Sequence, residues 1–391
     1  MKLNSDLFDS VSREFERLHG SDENMVIVRS PGRINLIGEH TDYNEGFVLP
    51  SAIDRAIYLA VAPVNGFEVS LTSLDFKDDF SFDSRKPVVS GKHWANYLVG
   101  IVDQLDKAGY TVNGFDCVYA GDIPIGSGMS SSAAVEAGLA FALNSVFDLG
   151  IDRTALARIA QRSENEFVGV RCGIMDQFAN LLSKGDSALY LDCRSLEYED
   201  IPFVSRDLEF VLCDTGVKHS LASSEYNLRR EQCESGVNIL RKYAPEVRSL
   251  RDASLELLSE HEEELGPTVY KRCKYVIEEN ARVGAAAGLL RENDYSGFGE
   301  LLYLSHRGLK IEYEVTCMEL DLLVDEASKI DGVLGARMMG GGFGGCTLNL
   351  VERNSAAEFK RRIGKVYLEK TGKLPRLYEC NLVPGTEVVT D

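Results

Sequence analysis

Between Pro31 and Pro50 the chain reads PGRINLIGEHTDYNEGFVLP. Ten of these residues, 33 to 42, carry Arg33, Asn35, Glu39, His40, Thr41 and Asp42, with Ile34, Leu36 and Ile37 between them. Apolar, strand-like stretches flank the cluster. A loop that only bridged two strands in water would use Gly, Ser and Asn freely. Polar groups this dense among apolar ones need hydrogen-bond partners in fixed places. The chain must therefore fold around a preformed polar surface, and a polar ligand is its expected occupant.

The rest of the chain bounds what that ligand can be. A length of 391 residues is enough for two or three domains at about 150 residues each. A hydrophobic content of 44% and a charged content of 26% are those of globular proteins with sizeable cores. The net charge of -19 argues against a nucleic-acid partner, which requires a basic footprint. An anionic small molecule stays open, because backbone N–H groups and one or two local cations can hold phosphate. Nine cysteines without C-x-x-C spacing fit reduced thiols, so a cytoplasmic protein is expected. The N-terminal MKLNSDLFDSVSREFERLHG is amphipathic and acidic, which predicts a helix and not a signal peptide. No apolar run reaches membrane-spanning length, so no membrane partner is expected.

Periodicity predicts a helix over 8–19 and strands over 25–29, 47–49, 56–62, 68–71 and 80–82. A helix over 94–108 and a strand over 115–120 follow. A Gly/Ser loop then opens an Ala- and Leu-rich helix that stops at Gly150, and Asp152 caps the next helix. A strand is expected over 188–192. The mixed, charged segment 194–207 is taken as a domain boundary. Beyond it the pattern predicts a strand over 208–213 and a mainly helical stretch from 223 to 329. A Gly-rich loop at 340–345, a strand over 346–351, a helix over 354–371 and a strand over 377–382 complete the chain. The expected fold class is α+β, in two domains spanning 1–200 and 201–391. Internal repeats are absent from the sequence.

Three further stretches can carry chemistry. PIGSGMSSSAAVEAG, Pro124–Gly138, follows a strand and opens a helix. Such a loop aims unpaired N–H groups at an anion, with Gly126 and Gly128 allowing close approach and Ser130, Ser131 and Ser132 adding hydroxyls. A simple helix cap would need one serine, not three behind two glycines. The G-x-x-x-x-G-K-[ST] spacing of a Walker loop is absent. GARMMGGGFGGCTLNLV, Gly335–Val351, satisfies G-x-G-x-x-G at Gly340, Gly342 and Gly345. A strand follows it where a dinucleotide site needs a helix, which rejects that reading. Its glycines signal either tight backbone packing or close approach to a ligand. VGVRCGIMDQFANLLS, Val168–Ser183, sets Asp176 among Ile174, Met175 and Phe178. That carboxylate is either paired or functional, unless it is simply a helix N-terminal Asp held by the dipole. Glu164, upstream, reads by itself as a solvated surface residue.

Together these motifs resemble the GHMP small-molecule kinases, and within them the galactokinase family. GRINLIGEHTDYNEGFVLP is similar to that family's signature almost residue for residue, PIGSGMSSSAAVE to the superfamily phosphate loop, and GGGFGGCTLNLV to its third motif. CGIMDQF, LYLDCRSLE, KHSLASSEYNLRREQC and SHRGLKIEYEVTCMELD resemble the galactokinase form in particular, so the resemblance runs from about Val28 to the C-terminus. It implies the two-domain GHMP fold with the active site in the interdomain cleft. It implies galactose and ATP as substrates, with Mg2+, and transfer of phosphate to the C1 hydroxyl of the sugar; a monomer is expected. By resemblance, Asp176 is the catalytic base and Arg33 its neighbour. Glu39, His40, Asp42, Gly173 and Tyr226 contact the sugar. Gly126, Gly128, Ser130, Ser131 and Ser132 cradle the phosphates, and Trp94 and Tyr97 flank the adenine, unless both simply anchor a helix. Ser132 and Glu164 match the magnesium ligands, and Lys218 stands where some relatives carry Arg. Ser127 and Met129 depart from the usual loop pattern; Met for Leu nearly conserves volume. The competing readings are a kinase of a related sugar, a sugar sensor without catalysis, and a scaffold.

Overall fold

A computed structural model describes residues 4–124, 126–217 and 222–390, the side chains of 222 and 223 excepted. Lys218 lies outside the described residues. The first sheet is built from β1 (Val26–Asn35), β3 (Pro50–Pro63), β4 (Glu68–Ser73), β5 (Asp78–Asp83) and β6 (Phe115–Gly121), joined at one edge by β13 (Glu387–Val389). Its order is β13-β1-β3-β6-β4-β5, antiparallel except for the β4–β6 pair. A small sheet joins β2 (Phe47–Val48), β7 (Ser187–Asp192) and β8 (Tyr198–Pro202). The third sheet runs β10-β11-β9-β12, from β9 (Leu208–Asp214), β10 (Val333–Met338), β11 (Cys346–Glu352) and β12 (Arg376–Cys380).

Alternation along β3 explains the layering of the first sheet. Ala56, Tyr58, Ala60 and Ala62 face one way, toward Val11 and Phe15 of α1 (Ser5–His19). Ile57, Leu59 and Val61 face the other, toward α2 (His93–Lys107), α3 (Ser131–Val146), α4 (Arg153–Arg162) and α5 (Met175–Leu182). This is the two-residue period of a pleated strand buried on both sides. Helix α3 can lie close to the sheet because of Gly138: a Cβ there would come within 2.7 Å of both Ser30 and Leu59 side-chain atoms. The close seat brings the loop before α3 up against β1.

The second half carries α6 (Ala222–Leu240), α7 (Leu255–Glu260), α8 (Glu262–Arg291, kinked at Gly266), α9 (Tyr295–Ile311), α10 (Met318–Ala327) and α11 (Ala356–Thr371). Helices α10 and α11 cover one face of the third sheet through Leu323, Ala327, Phe359 and Ile363. Helices α6 to α8 form a separate core around Val237, Leu258 and Tyr275.

Three elements differ from the sequence expectations. Strand β1 continues through Pro31 and Gly32 to Asn35, because a register shift between Pro31 and Arg33 accommodates the missing proline N–H. Strand β8 lies inside the segment read as a boundary; its exposed, charged residues hide its pairing with β7. Strand β13 sends the end of the chain back to β1, so the first sheet draws on both halves of the sequence.

Candidate active site

The signature, the phosphate loop, the Asp176 segment and the third motif converge on one cavity of about 470 Å³. Arg33, Glu39, His40, Asp42, Gly126, Gly128, Glu164, Gly173, Asp176 and Tyr226 all line it, with Met339–Gly345 as the opposite wall. Ser130, Ser131, Ser132, Trp94 and Tyr97 do not. Trp94 donates its Nε1–H to Asp78 at 2.9 Å and stacks on Phe76, and Tyr97 packs against the large core.

The bulge in β1 aims Arg33 across the cleft. Its Nε and Nη2 donate to the two carboxylate oxygens of Asp176 at 2.8 and 2.7 Å, a bidentate pair. Its Nη1 reaches the Gly128 carbonyl, and its backbone N–H donates to the Met129 carbonyl at 3.1 Å. Asp176 does stand in the first turn of α5, so the helix N-terminus and a charged partner act on it together. Ser130 donates its hydroxyl to the same carboxylate.

Glu39 is almost wholly buried and holds three parts of the chain together. It accepts from Arg337 Nη2 at 3.0 Å, from the Gly340 N–H at 2.8 Å and from Asn35 Nδ2 at 3.1 Å. Arg337 also donates to the Leu36 and Asn35 carbonyls. The sequence reading missed Arg337; its one signal was a lone arginine between Ala336 and Met338 in a strand that pairs with β11.

His40 sits at φ 64, a left-handed backbone that non-glycine residues seldom adopt. Its Nδ1 pairs with the Tyr43 hydroxyl at 2.8 Å, which in turn meets the Tyr313 hydroxyl at 2.7 Å. The residue faces the cavity. Burial first, then the nearby Arg229 charge, push the imidazole down to about 3, so the ring is neutral at ordinary pH. Tyr226 lies beside it, with ring centroids 5.5 Å apart.

Asp42 opens a short 3-10 turn, Asp42–Asn44, against the loop before α5. A Cβ at Gly173 would fall 1.9 Å from its Oδ2, so only glycine leaves room for this carboxylate. Burial, and then the Asp176 charge, lift Asp42 to about 7.

Glu164 is buried and not a surface residue, contrary to its reading in isolation. It stands in a π-helical turn, Ser163–Val168, of the kind that often marks functional sites. It accepts from Gln177 Nε2 at 2.8 Å and from the Cys172 thiol at 3.4 Å, and the Ser132 hydroxyl bonds to it as well. Burial and the Asp176 charge raise it to about 7. Beneath it Glu136 is fully buried, and desolvation pushes that carboxyl well above the usual range. A hard cation suits this place. Two carboxylates, Glu164 and Asp176, raise each other's negative potential, and Ser132 adds a neutral oxygen. No cluster of three His, Cys, Asp or Glu suited to a metal occurs among the described residues. Magnesium typically takes only one or two carboxylates from a protein and completes its shell with phosphate and water, so the set fits.

Tight backbone packing, one of the two explanations open for the third motif, is present. The Gly340 Cβ position lies 3.3 Å from Gly128 Cα, so the two glycine-rich loops touch backbone to backbone. Gly342 and Gly344 leave no room for a side chain beside the Val315 and Val217 carbonyls, at 2.2 and 2.5 Å. The same residues wall the cavity.

Two stability predictions follow from this geometry. Arg337→Met leaves Glu39 buried without its cation and lowers unfolding free energy by about 3–5 kcal/mol in urea titrations. Asp42 titrates near 3.8 when unfolded and near 7 when folded. Between those values the folded chain keeps a proton that the unfolded chain has released, so this group costs stability as pH rises through the window. Asp42→Asn removes that cost; the drop in Tm between about pH 5 and about pH 8 becomes smaller than in the unmodified chain.

Comparison with known proteins shows the chain's relatives. Residues 13–63 match the galactokinase galactose-binding signature, residues 96–184 the GHMP kinase N-terminal domain and residues 286–368 the GHMP kinase C-terminal domain. The chain is 41% identical over 366 residues to a galactokinase of Roseiflexus sp. (strain RS-1), covering 94% of this chain and 93% of that one. It is 40% identical over 358 residues to a galactokinase of Thermosipho africanus, covering 92% and 98%. The crystal structure of Lactococcus lactis galactokinase complexed with galactose superposes with a TM-score of 0.94 at 35% identity, over 98% of this chain and all of that one. With such similarity along nearly its full length, this chain belongs to the galactokinase family of the GHMP kinases.

Proposed function

We infer that the chain transfers the γ-phosphoryl group of MgATP to the C1 hydroxyl of α-D-galactose, giving galactose 1-phosphate and ADP. The observation that carries this reading is the polar signature and the Arg33–Asp176 pair lining one cavity together. A sugar is dense in hydroxyls, and a site that recognises one must present donors and acceptors at fixed angles. Glu39, His40 and Asp42 do so from one wall, with Gly173 making room for Asp42 and Tyr226 standing beside His40. A buried polar group left unpaired by the wrong sugar costs about 1–3 kcal/mol, which is the source of selectivity.

Asp176 accepts the hydrogen bond of the C1 hydroxyl and directs its oxygen at the γ-phosphorus. Phosphoryl transfer passes through a loose transition state, so positioning and charge stabilisation outweigh strong base catalysis. Arg33 spans both needs: it holds Asp176 and stands beside the phosphate loop. Backbone N–H groups around Gly126 and Gly128, with the Ser131 hydroxyl, receive the phosphates at the start of α3. Ser132 and Glu164 hold the magnesium, which neutralises charge on the phosphates when bound. The packing of Trp94 and Tyr97 supports the helix-anchoring alternative for both.

No helix among the described residues is long and apolar enough to cross a membrane. All nine cysteines are free thiols, which supports placing the activity in the reducing cytoplasm.

Coupled ADP release with MgATP and single sugars tests the reaction. Galactose supports turnover, and glucose and N-acetylgalactosamine support little. Equal or faster turnover of another sugar would overturn the specificity. No release with any sugar, while galactose still raises Tm, would point to a sensor. Asp176→Asn keeps galactose binding, measured by calorimetry, and lowers kcat by roughly a hundred-fold or more. A variant with near-normal kcat would remove Asp176 from the mechanism.

A further inference from the structure

Ser130 sits in the phosphate loop, yet its hydroxyl does not serve as a helix cap. It is the residue before α3, with φ 58 and ψ 54, and its side chain makes no capping hydrogen bond. The loop supplies glycine at two other positions of positive φ, Gly126 at 80° and Gly128 at 78°. At 130 it keeps a side chain in the left-handed region, where L-residues are strained. Such strain persists when the surroundings hold it in place, and it gathers at functional sites. Here the hydroxyl donates to Asp176 Oδ2, 46 residues further along the chain.

The carboxylate of Asp176 thus receives three donors, two from Arg33 and one from Ser130. Arg33 is tied in turn to Gly128 and Met129, immediately before Ser130. Loop, arginine and carboxylate form one closed circuit of hydrogen bonds. Without the hydroxyl, one oxygen of Asp176 loses the donor that comes from the nucleotide side of the cleft, and the carboxylate can pivot on Arg33 alone.

We propose that Ser130 is a positioning residue for phosphoryl transfer: its hydroxyl orients Asp176 from the phosphate loop, rather than binding the nucleotide. The proposal rests on the reading of Asp176 as the group facing the C1 hydroxyl. Ser130→Gly suits the left-handed backbone, and Ser130→Ala does not; both delete the hydroxyl.

Steady-state kinetics with galactose and MgATP on both variants, alone and combined with Asp176→Asn, test it. Both single variants lose roughly ten-fold or more in kcat, while KM for galactose and for ATP stays within about two-fold. In the Asp176→Asn background, Ser130→Gly has little further effect, because its only target is already disabled. A raised KM for ATP with kcat unchanged would assign Ser130 to the nucleotide and overturn the proposal. Loss of kcat in Ser130→Ala but not in Ser130→Gly would trace the effect to the backbone and also overturn it. An undiminished loss in the Asp176→Asn background would do the same. A slow Asp176→Asn enzyme beside a Ser130→Gly enzyme of normal kcat sinks the proposal alone. Near-normal turnover of Asp176→Asn sinks the reading of Asp176, and the proposal with it.

Discussion

The cleft depends on one buried ion pair. Arg337 has no exposed side-chain surface and Glu39 has 2%. Taking two charges out of water costs several kcal/mol each, and a pair in this position is stable only when further hydrogen bonds complete it. Those bonds are present: Asn35 and the Gly340 N–H on the carboxylate, the Asn35 and Leu36 carbonyls on the guanidinium. All but the Asn35–Glu39 bond cross between the signature and the strand and loop of the third motif. The pair therefore sets the distance between the two walls of the cavity, and the polar groups of the signature inherit their positions from it. Helix α8 adds to the grip, with Glu279 accepting from the Gly38 N–H and Tyr275 donating to the Glu39 carbonyl.

A second circuit, around Asp176, shares no residue with the first. Arg33 and Ser130 bring a strand and a loop to one carboxylate. Between the two circuits lie His40, kept neutral by burial, and Asp42, raised to about 7 by burial and by the Asp176 charge. The signature wall therefore sets a neutral imidazole, and a carboxyl that holds its proton far more readily than usual, beside the Arg33–Asp176 pair. An uncharged ligand with many hydroxyls suits such a wall better than an ion does. Glycine makes the meeting possible: Gly173 clears space for Asp42, and Gly128 and Gly340 let two backbones touch.

Much of the site was legible in the sequence because its residues are local. Arg33, Glu39, His40 and Asp42 lie within ten positions, and crowding of polar groups between apolar strands can be seen without coordinates. The Gly/Ser run before α3 likewise announces its geometry, since strand, loop and helix follow in order. The residues misread were those whose environment is made by distant chain. Glu164 reads as a surface glutamate until α2 packs on its turn and Gln177 of α5 bonds to it. Arg337 has nothing in its neighbourhood to name Glu39, 298 residues away, as its partner.

The sequence by itself determined the alternation of helix and strand, the polar signature, the two glycine-rich loops and the family they resemble. These follow from period, composition and short-range spacing, which the backbone obeys locally. Tertiary structure alone decided which wall each loop forms, that β13 returns to β1, that Ser130 serves Asp176 and that Arg337 holds Glu39. The physical reason is that burial and pairing are properties of surroundings, and those surroundings exist only once residues far apart in the chain are packed together.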